Sequence, residues 1–275
     1  LISDCNNDLI LDIIVLRNPI SGYYSELWYA DKNLNFTKVD LPYIDPNGLN
    51  DAVVADFDNN QMMDIVIVTG AGYNNTCFRN VAFADKFSSF TFGTYAGSIT
   101  VTAADFDKDG YVDLFIGTNS AGADSSAIWK NNIATSNTFQ YIFPLETPNL
   151  KSAKAADFNK DGLPDLILIN SGEPVRVLLN RGNLIFQESW ASQSSYNGKK
   201  VAIADLDGNG WLDFYMTTDT TVNIIGFNNG NGTFTIAEHN VGFIPANVAL
   251  ADFDNDGDID LFLPGDGSPI YIYKN

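Results

Sequence analysis

The 275-residue sequence predicts an all-β protein of repeated antiparallel units, and three observations carry that prediction. One nine-residue acidic motif occurs six times, with 52, 49, 52, 48 and 47 residues between successive first aspartates. Short apolar runs alternate with clusters of Gly, Asn and Asp, as is typical of strands joined by turns. Helical periodicity is almost absent. Such a period indicates a repeat architecture rather than two or three ordinary domains.

Each repeat contains the segments of four short strands. Small and β-branched residues precede the motif, as in AVVA before Asp56, and an apolar run follows it, as in IVIV after Asp64. A third segment ends on Asn, as in IWKN at Asn131, and a fourth carries Phe after a turn, as in NGTF at Phe234. Four-stranded units of this length are typical of β-propeller blades, so we predict one β-propeller domain over residues 1–275. The motifs that organise it are residues 4–12, 56–64, 105–113, 157–165, 205–213 and 252–260.

The residue before the motif supports this assignment. Ala occupies it in five repeats, which suits an innermost strand where blades converge and only small side chains have room. These residues are Ala55, Ala104, Ala156, Ala204 and Ala251. A β-sandwich with irregular strands is the alternative, but it leaves six phased copies of one motif unexplained.

The ends of the chain predict an incomplete set of blades. Only Leu1 to Ser3 precede the first motif, and the last unit stops at Asn275, before the segment that forms the outer strand elsewhere. We expect a seventh blade outside this segment, or closure of six blades by another route. We also expect the edge of the last blade to be completed by residues outside the segment or by another subunit, because bare strand edges are normally covered. The chain begins without Met and inside a repeat, so we expect it to be part of a longer protein.

The charge of the chain excludes several classes of function. The formal net charge is −19, with 29 Asp and only 5 Glu, and this sign repels phosphate backbones and anionic lipid headgroups. Nucleic-acid binding and direct membrane insertion are therefore not expected, and no apolar run approaches the length of a transmembrane helix. Cys5 and Cys77 offer no CxxC metal site, and we expect them to be free or buried, with a disulfide as the alternative.

The acidic motif predicts a calcium loop. In the third copy, Asp105, Asp107 and Asp109 occupy positions 1, 3 and 5, Gly110 occupies position 6, and Asp113 occupies position 9. With the position-7 carbonyl, these groups supply six or seven oxygens, which suits Ca²⁺ better than Mg²⁺. An EF-hand would need Glu at position 12, where strand residues stand instead. A solvated acidic turn without metal is the other alternative, but 21 Asp residues lie within the six motifs, and such crowding is costly without a counter-ion.

The same register assigns candidate ligands in all six loops. They are Asp4, Asn6, Asp8 and Asp12; Asp56, Asp58, Asn60 and Asp64; Asp105, Asp107, Asp109, Tyr111 and Asp113; Asp157, Asn159, Asp161, Leu163 and Asp165; Asp205, Asp207, Asn209, Trp211 and Asp213; and Asp252, Asp254, Asp256, Asp258 and Asp260. The first two loops carry Leu9 and Gln61 at position 6, where a positive φ disfavours any residue but Gly. We therefore expect four to six calcium ions, with loops three and six binding most tightly and loop one most weakly.

The segments ADFDKDGYVDL, ADLDGNGWLDF and ADFDNDGDIDL resemble the repeats called FG-GAP or VCBS. Such repeats occur in integrin α-subunit propellers, in T-cell immunomodulatory-type surface proteins and in many secreted microbial proteins. The resemblance covers almost the whole chain. It implies a propeller, usually seven-bladed, with calcium bound between the first two strands of a blade.

The sequence predicts a binding module rather than an enzyme. It lacks GxSxG, HExxH and phosphate-binding glycine motifs, and we expect its single His, His239, in a surface turn. The expected function is protein binding, adhesion or assembly at the cell surface or outside the cell, with a protein partner or other copies of the chain meeting a propeller face or an open blade edge. The sequons at Asn35, Asn74 and Asn231 are consistent with a secreted glycoprotein.

Two alternatives remain. A carbohydrate-binding, lectin-like propeller could use aromatic side chains along a groove, although such residues more often pack between sheets. The candidates are Trp28, Trp129, Trp190 and Trp211. A propeller-fold enzyme acting on polysaccharides ranks third, because no catalytic constellation is visible.

Overall fold

The computed structural model describes residues 1–17, 25–41, 48–81, 87–93, 97–118, 125–265 and 270–275. In these ranges the chain forms five antiparallel sheets and one short helix, which confirms the predicted all-β, β-propeller class. The chain divides into two compact units, residues 1–146 and 147–275, which we describe separately. The assignment of all 275 residues to one domain stays a prediction.

The first unit contains three four-stranded sheets in which each strand pairs with its neighbour along the chain. The first sheet consists of β1 (Ile2–Ser3), β2 (Asp12–Val15), β3 (Glu26–Ala30) and β4 (Phe36–Asp40). The second consists of β5 (Leu49–Ala55), β6 (Asp64–Thr69), β7 (Asn75–Asn80) and β8 (Phe87–Phe92). The third consists of β9 (Ser98–Ala104), β10 (Asp113–Thr118), β11 (Ser126–Asn131) and β12 (Phe139–Leu145), with helix α1 (Ile133–Ser136) between the last two.

The second unit departs from the expected series of separate four-stranded blades. Its larger sheet has six strands: β13 (Leu150–Ala156), β14 (Asp165–Asn180), β15 (Phe186–Ala204), β16 (Asp213–Thr218), β17 (Val222–Asn228) and β18 (Phe234–Asn240). The fourth and fifth repeats share this sheet because pairing between β14 and β15 continues past the usual blade end, as far as Ser171 opposite Asn197. The last sheet has three strands: β19 (Ala249–Ala251), β20 (Asp260–Pro264) and β21 (Ile270–Tyr273).

Every acidic motif connects the first and second strands of its repeat, as the repeat pattern predicts. The residue before the motif ends the first strand and pairs with the last Asp of the motif, as Ala104 does with Asp113 and Ala204 with Asp213. The second strands β6, β10 and β16 are buried along their whole length, which matches their continuous apolar sequences.

Aromatic rings join consecutive repeats. Phe57, at position 2 of the second motif, packs edge-on against Phe139, the first residue of the next repeat's outer strand, with 5.4 Å between ring centroids. In the second unit Phe158 and Phe234 repeat this arrangement at 5.5 Å. Each pair lies in the largest core cluster of its unit, so the Phe that begins an outer strand fills the space against the preceding repeat.

An Asn at the end of the third strand makes a second connection between repeats. The side-chain Nδ2 of Asn131 donates to the carbonyl oxygens of Phe57 at 2.8 Å and Val112 at 2.9 Å. One bond reaches the preceding motif and the other reaches the Asn's own repeat. The bond to the preceding position-2 carbonyl is also made by Asn80, Asn228 and Asn275, at 2.8, 2.9 and 2.7 Å.

Two further sequence expectations can be compared with the fold. Cys5 and Cys77 are free and fully buried, as predicted. The expectation for His239 was wrong, because this residue lies in β18, and its Nδ1 is 3.1 Å from the hydroxyl oxygen of Tyr215. All four residues of AEHN pair with β17 instead of turning, and burial lowers the pKa of His239.

Substitution of Asn228 tests the connection between repeats. Asn228→Ala leaves the carbonyls of Phe158 and Leu212 without this donor, so the free energy of unfolding should fall by about 3 kcal/mol. Asn247→Ala, at an exposed position, should change it by less than about 0.5 kcal/mol. Urea unfolding of both variants measures the difference, and equal stabilities would show that the Asn228 bonds do not join the repeats.

Candidate metal centres

All six acidic motifs fold into the same loop. In the third loop the Asp105 carboxylate accepts the N–H groups of Asp109 at 3.1 Å and Gly110 at 2.9 Å. Asp109 Oδ1 in turn accepts the N–H of Tyr111 at 2.9 Å. Equivalent bonds from positions 5 and 6 to position 1, and from position 7 to position 5, occur in every copy. Positions 1 and 5 therefore shape the loop, in addition to the ligand role predicted for them.

The loop requires a left-handed backbone at positions 4 and 6. Gly110 has φ 90°, and the first two loops reach the same region with Leu9 at 69° and Gln61 at 70°. A residue with a Cβ pays roughly 1–2 kcal/mol there, so the non-Gly loops keep the common geometry at a cost in strain. Position 4 is also left-handed, as at Lys108 with φ 61°, and the sequence analysis did not predict this.

The position-9 aspartate is buried and holds two segments of the backbone together, so we call it the clamp of its loop. Both oxygens of Asp113 accept backbone N–H groups, from Phe106 at 3.2 Å and Asn131 at 2.8 Å, and the residue is fully buried. The same two bonds hold Asp12, Asp64, Asp165, Asp213 and Asp260. The sequence predicted these residues only as ligands that close a metal cage.

Burial makes ionisation of these clamps costly. Removal from water raises the pKa of Asp64, Asp113 and Asp165 to about 7, although their backbone hydrogen bonds act in the opposite direction. Burial also raises the pKa of Asp12 and Asp213. A nearby cation would favour the charged form of each group.

The oxygen atoms of the loops fit a hard cation. In four loops, carboxylate oxygens from positions 1, 3 and 9 lie within 4.8 Å of one another. These groups are Asp56, Asp58 and Asp64; Asp105, Asp107 and Asp113; Asp205, Asp207 and Asp213; and Asp252, Asp254 and Asp260. Loops one and four carry Asn6 and Asn159 at position 3, which offer amide oxygens. In the second loop, Asp58 Oδ1 is buried without a hydrogen-bond partner among the described residues. This all-oxygen donor set suits Ca²⁺.

A basic residue reaches the acidic loop in three repeats, and the sequence interpretation missed it. It stands directly before the Asn that ends the third strand, as in FRN, WKN and YKN. Arg79 Nε lies 3.3 Å from Asp58 Oδ2, and Lys274 Nζ lies 2.6 Å from Asp254 Oδ2. Lys130 binds both Asp107 and Asp109. Three loops thus carry an internal positive charge at the position-3 carboxylate.

The other three loops carry Tyr29, Leu179 and Phe227 at the equivalent position. An internal cation competes with a metal ion for the same oxygens. Loops three and six were predicted to bind calcium most tightly because of their number of carboxylates. Each contains such a lysine, whose positive charge opposes calcium binding there. The ranking of the six loops and the ligand role of the position-7 carbonyls stay predictions.

The tryptophans are distributed between core and surface. Trp129 packs edge-on against Phe92 and Tyr141, and Trp190 packs against Phe214 and Phe234, so both belong to core clusters. This packing leaves both rings half-buried. Trp28 donates to Glu26, and Trp211 lies under the ammonium group of Lys160.

The fold and the loops together define a class of protein: a β-propeller in which each repeat carries one acidic, oxygen-rich loop. A profile of the FG-GAP-like repeat matches residues 56–116, 157–216 and 205–263, more than half of the chain. The chain belongs to the FG-GAP-like repeat family, which confirms the resemblance seen in the sequence.

The chain is also similar to proteins from several sources. It is 33% identical over 119 residues to the T-cell immunomodulatory protein of Mus musculus, a match that covers 40% of this chain and 19% of that protein. The crystal structure of BBS1N in complex with ARL6DN has a TM-score of 0.59 at 10% identity, covering 99% of this chain and 89% of that one. The Malassezia sympodialis allergen Mala s 1 has a TM-score of 0.56 at 10% identity, covering 100% and 92%. These two structural likenesses show the fold alone.

The internal cation can be tested at Lys130. Lys130→Met removes a positive charge from Asp107 and Asp109, so calcium should bind the third loop about fivefold more tightly, from a Coulomb term of ~1 kcal/mol. Lys151→Met, at an exposed position on β13, should leave affinity unchanged. Calorimetric titration of both variants measures the effect. Weaker binding by Lys130→Met would mean that the lysine supports the site instead of competing with the ion.

The buried clamps predict a pH dependence of the metal-free protein. Because the pKa of Asp64, Asp113 and Asp165 is about 7 in the folded chain and 3.8 for an unperturbed aspartate, the folded chain retains protons that the unfolded chain has released. Stability in EDTA should therefore fall as pH rises from about 4 to about 7. Asp113→Asn should make this fall shallower, since it removes one of the buried aspartates whose pKa is raised. Thermal melts at several pH values across this range measure the effect. A melting temperature that rises with pH would contradict the raised pKa of these aspartates.

Proposed function

We propose that this chain is a calcium-stabilised interaction module that works outside the cell and binds protein partners or copies of itself. One observation carries the proposal: three carboxylates converge within 4.8 Å in four separate loops. Such convergence is costly without a cation. The residues that would hold calcium are the predicted ligands at positions 1, 3, 5 and 9, with the carbonyl at position 7.

Calcium would supply positive charge to oxygens that already organise the backbone. Position 1 holds the turn, and position 9 holds both the start of the motif and the end of the third strand. Neutralising these carboxylates therefore stabilises the loop and, through the adjacent Asn, its connection to the preceding repeat. The calcium is structural in this proposal, and the partner binds elsewhere on the repeats.

An extracellular location is consistent with the loop chemistry and with the sequons. Calcium sites of modest affinity are filled at the millimolar concentrations found outside cells. The side chains of Asn35 and Asn231 are exposed, as glycosylation requires. The mouse relative is named as a T-cell immunomodulatory protein, which agrees with an interaction role. In the described part of the chain, no helix has the length and apolar character needed to cross a membrane.

We propose binding rather than catalysis because the sequence contains no known catalytic motif, and His239 is occupied by a contact with Tyr215. A carbohydrate ligand is a weaker proposal, since two of the four tryptophans pack in cores. A glycan array distinguishes sugar binding from protein binding.

Removal of calcium tests the structural role. Each site held at a hundredfold excess over its Kd stabilises the fold by ~2.7 kcal/mol. EDTA should then lower the melting temperature by about 20 °C if four sites are filled, and Ca²⁺ should restore it where Mg²⁺ does not. An unchanged melting temperature in EDTA would exclude structural calcium.

A pair of variants provides the control. Asp207→Asn removes a carboxylate from the fifth loop and should reduce the stabilisation that calcium gives. Asp219→Asn changes an exposed Asp outside the motifs and should leave it unchanged.

A further inference from the structure

In the first unit, a carboxylate joins the innermost strands of the second and third repeats. Asp51 lies in β5, and its Oδ2 accepts the hydroxyl of Thr100 at 2.9 Å and the N–H of Val101 at 3.0 Å, both in β9. One acidic side chain therefore satisfies two donors of the next repeat. These contacts show what kind of group the space between two innermost strands can hold.

The second unit has no acidic residue at the equivalent position. Asp51 pairs with the residue four places after the last Asp of its motif, and Thr100 holds the same register in the third repeat. In the fourth and fifth repeats this register belongs to Ser152 and Lys200. A serine thus stands in the place of the aspartate, and a lysine stands in the place of the threonine.

The innermost strands of the fourth and fifth repeats pack together as those of the second and third do. Strands β13 and β15 lie side by side, like β5 and β9. Ile169, which pairs with Ser152, shares a buried core cluster with Val201. A Cβ on Gly198 would lie 2.3 Å from Ile169 Cγ2, so the two repeats are in close contact here. The interface is therefore kept, and only its carboxylate is missing.

The polar groups at this interface have no acidic partner. Ser152 is only 3% exposed, and its hydroxyl has no hydrogen-bond partner among the described residues. Lys154 lies two residues further along β13, on the same side as Ser152, and both Lys154 and Lys200 are half-buried. Neither lysine forms an ion pair with a described carboxylate, whereas six other Lys and Arg residues do. Charges removed from water in this way are unfavourable without a counter-ion.

We propose that Ser152, Lys154 and Lys200 bind the carboxylate of a ligand. This carboxylate takes the place that the Asp51 side chain fills between the second and third repeats. It accepts the Ser152 hydroxyl and the Val201 N–H, the counterpart of the Val101 N–H, while the two ammonium groups neutralise its charge. Hydrogen bonds of this charge-assisted kind are about twice as strong as neutral ones. The inference goes beyond the proposed function and does not depend on calcium.

Two probes distinguish the sources of such a carboxylate, which are a free organic acid and an acidic side chain of a protein partner. Succinate and the end-blocked peptide Gly-Asp-Gly are titrated into valine-labelled protein in millimolar Ca²⁺ and low salt, and the Val201 amide is followed by NMR. We expect a saturable shift with a Kd of about 1 mM. The neutral counterparts, succinamide and end-blocked Gly-Asn-Gly, should give no shift.

The pattern of binding assigns the source. A shift with succinate alone assigns the site to free organic acids, and a shift with the peptide alone assigns it to acidic side chains. Binding of both probes supports a site for any accessible carboxylate. Absence of binding by both probes, or equal shifts with the neutral counterparts, overturns the proposal.

Lysine variants locate the site. Lys154→Met and Lys200→Met should each weaken binding at least about tenfold, because each removes a charge-assisted contact. Lys32→Met makes the same change of charge at an exposed position in the first unit and should leave the Kd unchanged. An equal loss of affinity in all three variants would mean that only the net charge of the chain matters, and would overturn the site.

A third substitution supplies the missing group from the chain itself. Ser152→Asp places a carboxylate where Asp51 has one, so it should abolish binding of both probes without lowering the melting temperature. Persistent binding by the folded Ser152→Asp variant overturns the proposal. If this variant fails to fold, the lysine variants decide the outcome.

Discussion

The rest of the structure depends on the hydrogen bonds of the buried aspartate at the end of each acidic motif. A carboxylate removed from water is unfavourable unless hydrogen bonds or a cation compensate it. Here each one accepts two backbone N–H groups, one from its own loop and one from the end of the third strand, as Asp213 does with Leu206 and Asn228. That Asn then reaches the preceding motif through its side chain, so one buried charge links loop, sheet and neighbouring repeat.

This use of buried charge explains why the chain is so acidic and why its loops are not equivalent. Each clamp stands beside further carboxylates, which add repulsion to the cost of burial. The repeats differ in how this repulsion is compensated. Three have an Arg or Lys at the position-3 carboxylate, and three have an uncharged residue in its place. A loop with its own cation depends less on metal, so calcium stabilisation should be uneven along the chain. The number of carboxylates alone does not describe a site whose neighbouring strand supplies positive charge.

The sequence predicted the repeat, the strands and the place of each loop because those features depend on local spacing. It did not predict the shared six-stranded sheet, since the pairing of Ser171 with Asn197 joins residues that no local pattern relates. Leu9 and Gln61 led to the prediction of weaker calcium sites because a positive φ disfavours them, but hydrogen bonds from their N–H groups to Asp4 and Asp56 hold the left-handed backbone in place. The Asn that follows the third segment in five repeats was visible in the sequence, but its hydrogen bond to the preceding motif depends on the fold, which brings the two repeats together.

The interfaces between repeats differ in how many buried apolar residues fill their cores. Between the second and third repeats and between the fourth and fifth, a Phe from the later repeat lies against a Phe of the earlier one, and each buried core contains ten or more residues among those described. The core between the first and second repeats has seven, and position 2 of the first motif is Cys5. The cluster between the fifth and sixth repeats has only three, Tyr215, Leu261 and Leu263. Position 2 of the fifth motif is Leu206, and among the described residues no Phe of an outer strand lies against it. The two larger cores are the ones that contain such an aromatic pair, because two rings bring more apolar surface to an interface than aliphatic side chains do.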